Sequence, residues 1–98
     1  MLNDLTFMRL QEAYAMAGVS KTNFWENQQK GLMVKTIKSG ERNAGVFKHE
    51  INSILLARSA GYDDEKIKSL VNCLHKKRTL LLKEMLSMID SNGGATNE

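Results

Sequence analysis

Ser20, Lys21, Thr22 and Asn23 form an unbroken run of small polar and cationic residues, and their types suit recognition of an anion. Ser is a strong helix N-cap, so the run reads as the first turn of a helix. The start of a helix presents free backbone N–H groups, which bind phosphate. Short polar side chains beside them reach base edges in a major groove. An Asn amide pairs with adenine, and a Lys ammonium reaches guanine or phosphate. A second set is cationic: Lys35, Lys38, Arg42 and Lys48. Arg42 is the strongest of these, because a guanidinium forks onto phosphate or enters a narrow minor groove. Residues 20–48 carry six Lys/Arg against Glu26 and Glu41, a balance of +4 that exceeds the +3 of the whole chain. The plain alternative is a capped helix followed by a solvated basic loop.

Covalent and metal chemistry is poorly supplied. Cys73 is the only cysteine, and the two histidines, His49 and His75, stand far apart. That excludes an intrachain disulfide and the common zinc spacings. No P-loop, glycine-rich dinucleotide motif or Ser/His/Asp arrangement is present, so an enzyme is the weakest reading and no cofactor is expected. The 98 residues are 42% hydrophobic and 26% charged, the balance of an ordinary globular domain. No apolar run approaches the ~20 residues of a membrane span, and no basic leader opens the chain. The expected setting is the cytoplasm.

Glycines punctuate a chain that has no proline. Thr6 to Leu10 reads as extended. Leu10 to Ala17 is rich in helix formers and ends at Gly18. A second helix is predicted from Lys21 to Lys30, closed by Gly31. Only Gly18-Val19-Ser20 separates the two, the short glycine turn of a helix-turn-helix. Phe24 is assigned to the core against Ala13 and Ala17; Trp25 reads as core or partly buried, with contact to a phosphate sugar or seating of the recognition helix as the alternatives. Gln28 and Gln29 read as DNA contacts or plain surface, and Arg9 with Glu12 as DNA contacts, an internal pair or a cap. Met33 to Lys38 is predicted as a strand, with a return strand beginning at Val46-Phe47, so that the basic residues flank a hairpin. A third helix is expected over 48–60 with Ile51, Ile54, Leu55 and Arg58 on one face. A fourth is expected over 63–89, about 40 Å long.

The run Arg9-Leu10-x-Glu12-Ala13, followed by Gly18-Val19-Ser20-Lys21-Thr22-Asn23-Phe24-Trp25, resembles the AlpA-type prophage regulators. These belong to a wider group of excisionase-like and MerR-like winged helix-turn-helix domains. Gly31, Lys35, Ile37, Lys38, Gly40, Arg42, Phe47, Glu50 and Ile51 fall where that pattern has its glycine, basic strand, G-x-R, aromatic and final x-x-E-[IV] helix. The likeness spans residues 8 to about 57. The family usually has prolines after Gly31, where this chain has Leu32-Met33-Val34, and Asn23 stands where Thr is common.

The resemblance implies a winged helix-turn-helix with a short β-hairpin wing; the long C-terminal helix lies outside it and is read from the sequence alone, and together they give a mainly α fold. It implies sequence-specific binding of double-stranded DNA, as a phage or mobile-element transcriptional regulator or an excisionase-like factor, with RNA polymerase or a recombinase as partner. Residues 1–61 are then the DNA-binding domain and 91–98 a disordered tail. Residues 62–90 carry Ile67, Leu70, Val71, Leu74, Leu81, Met85 and Met88 in one stripe, interrupted by His75 and the Lys76-Lys77-Arg78 cluster. Two roles fit that helix: folding back over its own domain, or pairing with a second copy as a homo-oligomer. The latter is favoured, because the small domain leaves little room to bury the whole stripe and Leu80-Leu81-Leu82 suggests cover on several sides. A competing function is a protein-interaction module that uses this helix and has no specific DNA site.

Overall fold

The computed structural model describes the backbone of residues 5–93 and the side chains of residues 5–89. Its elements run β1 (Phe7–Arg9), α1 (Leu10–Ala17), α2 (Lys21–Gln29), β2 (Ile37–Lys38), β3 (Ala44–Phe47), α3 (Lys48–Ser59) and α4 (Asp64–Gly93). The described residues therefore form a mainly helical fold with a small antiparallel sheet and a long C-terminal helix. No described helix is long and apolar enough to cross a membrane.

The helix ends follow the local sequence. The Glu12 carboxylate accepts from the Arg9 backbone N–H at 3.4 Å, so this pair closes the start of α1. Gly18 ends α1 with φ of 73°, a left-handed conformation that a Cβ would strain. Ser20 Oγ accepts from Asn23 N–H at 3.1 Å and caps α2. Asp63 does the same for α4, accepting from Lys66 N–H at 3.0 Å.

The sheet differs from the expected hairpin. Its order is β1-β3-β2, so the extended Thr6–Leu10 segment contributes a third strand. Met8 pairs with Val46 and both are buried, while Phe7 lies opposite Phe47 on the other face. Gly45 is what allows β1 so close. A Cβ there would lie 2.0 Å from the Met8 carbonyl oxygen and 2.7 Å from Phe7 Cζ. Gly45 is thus a packing residue as well as the neighbour of a turn. Gly45→Ala forces β1 off the sheet and should cost about 3 kcal/mol. A thermal melt should show a Tm lower by roughly 12–24 °C. A drop below a few degrees would mean that β1 is dispensable.

The expected strand over Met33–Lys38 is real only at Ile37–Lys38. Leu32, Met33 and Val34 form an irregular plug, all buried. The backbone of Lys35 finds its partners on α4 rather than on a strand. Its N–H donates to His75 Nε2 at 3.0 Å, and its carbonyl accepts from Arg78 Nη2 at 3.0 Å. The plug lies in one core with Met8, Ala13, Phe24, Val46, Ile51, Ile54, Ile67, Val71 and Leu74.

The first half of α4 therefore folds back on its own chain. The second half does not: Leu81 is half-buried, whereas Leu80 and Leu82 are 56% and 55% exposed. The expectation of cover around Leu80-Leu81-Leu82 is not met within one chain. On α3, Leu55 is half-buried and Arg58 pairs with Asp64 at 3.0 Å. The helix continues through Ser91, Asn92 and Gly93, where a tail was expected; 94–98 lie outside the described residues.

Candidate nucleic-acid interface

The site is built outward from α2. Phe24 is its single buried side chain, set edge-on against Tyr14 of α1 with ring centroids 5.1 Å apart. With Phe24 inward, the helical period turns Thr22, Glu26 and Gln29 outward, flanked by Asn23 and Trp25. Trp25 was expected to be core or partly buried; it is 58% exposed. Phe24 alone fills the space against α1, and a neighbouring residue points ~100° away from it.

Trp25 lines an open, mostly apolar hollow of about 350 Å³ with Leu10, Tyr14, Lys21, Thr22, Phe24, Gln28 and Thr36. Gln28 fixes the geometry here. Its Nε2 donates to the Val34 carbonyl at 3.0 Å and to Thr36 Oγ1 at 2.9 Å. The residue read as a DNA contact or plain surface is thus a strut between α2 and the entry to the hairpin. Lys38 is two residues beyond Thr36 and, by the alternation of extended chain, faces the same side. Arg42 is exposed in the turn that Ser39 N–H closes onto the Asn43 carbonyl at 2.9 Å.

Not every candidate reaches this face. Ser20, Lys21, Thr22 and Asn23 are together on the first turn of α2, though Ser20 spends its hydroxyl on the cap. Lys35 lies over α4, where its charge acts on His75. Lys48 lies across α1 from Lys21. Leu10 and Tyr14 border the Trp25 hollow, whereas Glu12 and Met16, on the opposite side of α1, border a second hollow with Lys48. Lys21, Thr22 and Trp25 thus meet Thr36 around one hollow; Glu26, the one carboxylate on α2, is exposed on the same helix, Asn23 lies on its far flank, and Lys38 and Arg42 are exposed on the hairpin.

Behind the face, α4 is locked to α3 by a buried ion pair. Arg78 Nε donates to Glu50 Oε2 at 2.9 Å and Arg78 Nη2 to Glu50 Oε1 at 2.6 Å. Glu50 is 1% exposed, and the guanidinium carbon sits 5.8 Å from the Phe47 ring centroid. His75 completes the knot. Burial pushes its pKa below the usual 6.5; the Arg78 and Lys35 charges add to this, and Glu50 opposes it. The ring accepts a hydrogen bond at Nε2, which requires the neutral form.

The folded ring thus holds a proton less readily than the unfolded one, so stability rises with pH. The His75 contribution is complete above about pH 6.5 and is lost as pH falls through the lower folded value. Tm should therefore increase between pH 5 and 7.5, and His75→Gln, which keeps an acceptor, should flatten the increase. An unchanged slope in that variant would remove His75 as the cause. Among the described residues, no His/Cys/Asp/Glu group could hold a metal ion.

No protein family, curated protein or solved structure matches the chain.

Proposed function

We propose that this chain is a winged helix-turn-helix domain that binds duplex DNA, with α2 as the recognition helix and the β2–β3 hairpin as the wing. The observation that carries the reading is the hollow beside Trp25. Lys21 and Thr22 of the first turn of α2 line it together with Thr36 at the hairpin entry, while Gln28 ties the last turn of α2 to Val34 and Thr36. A recognition helix in a major groove and a wing on the flanking backbone need that arrangement. Lys21, Lys38 and Arg42 supply phosphate contacts, and Asn23 and Thr22 reach base edges. Trp25 offers an indole face to a deoxyribose or a thymine methyl. Glu26 accepts from cytosine N4 and weakens binding where no cytosine meets it. The likeness of residues 8 to about 57 to AlpA-type and excisionase-like proteins supports a phage or mobile-element regulator, acting with a recombinase or RNA polymerase in the cytoplasm. The chain catalyses nothing in this reading and uses no cofactor.

Salt titration tests it. Each phosphate contact adds about −0.9 to the slope of log affinity against log salt, so three give roughly −2.7 per protomer. Trp25 is the only tryptophan, and its fluorescence reports binding directly. Lys48→Ala should leave the slope unchanged, because Lys48 lies off the face. A flat slope, or a duplex that leaves Trp25 fluorescence unaltered, would refute the proposal.

A further inference from the structure

The core-facing stripe of α4 does not stop where the core stops. Ile67, Val71, Leu74, Arg78, Leu81, Met85 and Met88 are spaced alternately by four and three residues, the seam of a coiled coil. The chain's own fold covers the seam as far as Arg78 and half of Leu81. Past that point Leu82, Met85, Leu86, Met88 and Ile89 are 49–64% exposed. Beside them, Leu81, Leu82 and Met85 form one wall of an apolar groove of about 290 Å³, whose floor is Leu5, Ile37 and Phe47.

We infer that this exposed end of α4 pairs with the same end of a second copy, antiparallel and about a two-fold axis near Met85. Three observations select that occupant. The helix end and the groove lie on one side of one chain, so the surface is self-complementary, as a two-fold interface requires. In an antiparallel pair centred on Met85, the partner subunit's Met88 and Ile89 come level with Leu82 and Leu81, over the groove.

The area is sufficient. Six exposed side chains from Leu80 to Ile89 offer up to about 600 Å² per copy, so two copies together reach the ~1,200 Å² lower bound of a specific interface. A patch of that size is at the upper end of what a monomer leaves to water.

Charge sets the direction. Residues 80–89 carry only Lys83 and Glu84 and so are neutral. Lys76 and Lys77 precede them. A parallel pair would set the two copies' lysines side by side, whereas the antiparallel pair separates them by about 27 Å along the axis, well beyond a Debye length.

The full-length chain without DNA provides the test, so failure here leaves the DNA reading as it stands. Sedimentation at tens of micromolar should give a dimer. Met85→Glu with Ile89→Glu, both at exposed positions, should weaken dimerisation at least tenfold without lowering the Tm of the core. Direction is read on the unmutated sequence with a nitroxide on exposed Cys73. Antiparallel pairing puts the labels about 36 Å apart along the axis, and parallel pairing about 20 Å or less apart. A monomeric chain, a dimer that survives the double substitution, or a short label distance would each overturn the inference.

Discussion

Arg78→Ala should destabilise the fold by about 3–5 kcal/mol. The cost lies on the partner left behind. Glu50 is 1% exposed and both of its carboxylate oxygens are held by Arg78. Without the guanidinium, a bare carboxylate sits among apolar groups, and the Lys35 carbonyl loses its donor as well. A thermal melt should show Tm falling by roughly 12–40 °C. Arg78→Lys should recover only part of the loss, because an ammonium cannot make the two-pronged contact. Replacing both partners, Glu50→Leu with Arg78→Met, should come back close to the original stability, since no charge then remains inside. A double variant as unstable as Arg78→Ala would show that the pair contributes through shape and not through charge.

The second large effect is on DNA. Lys21→Ala, Lys38→Ala and Arg42→Ala together should weaken duplex binding about 100-fold at 0.15 M salt, with the slope falling by roughly 2.7. All three side chains are exposed, so Tm should stay within a degree or two. The pairing with stability matters. Loss of affinity with an intact fold assigns the cations to the interface, and Lys35→Ala with Lys48→Ala, compared with Lys38→Ala and Arg42→Ala, serves as a control of equal charge. Equal losses from both sets would mean that the protein binds through net charge alone and that the α2 face has no special part.

The helices were legible because their signals are local. Gly18, Gly31 and Gly61 end helices or turns, and all three have positive φ. Ser20 and Asp63 announce the starts of α2 and α4. The first turn of α2 was legible for the same reason, since Ser20 to Asn23 are contiguous. What was not legible depends on partners far away in sequence. Lys35 looked like a strand residue because nothing nearby tells that His75 and Arg78, 40 and 43 residues on, satisfy its backbone. Trp25 looked buried or partly buried because size favours burial, and only the occupancy of the α1–α2 gap by Phe24 turns it outward. One distant pairing did leave a trace. Arg78 stands four residues after Leu74 and three before Leu81, at a core position of the α4 stripe. A charge there demands a buried acid, and Glu50 beside Ile51 is the one carboxylate among apolar neighbours on α3.

The split of α4 also bears on how such a chain can diverge. Up to Arg78 the helix answers to Leu32, Met33, Val34 and Glu50 of its own chain, so changes on either side must be matched by changes on the other. From Leu82 to Ile89 its apolar side chains are about half exposed or more, and Leu82 and Met85 only border the groove floored by Leu5, Ile37 and Phe47. These turns are less constrained by the core, so they can drift in sequence and come to suit a different companion while α2 and the hairpin keep their geometry. The helix that holds the Lys35 segment in place is thus also the part through which descendants of this chain could change company without changing what they read.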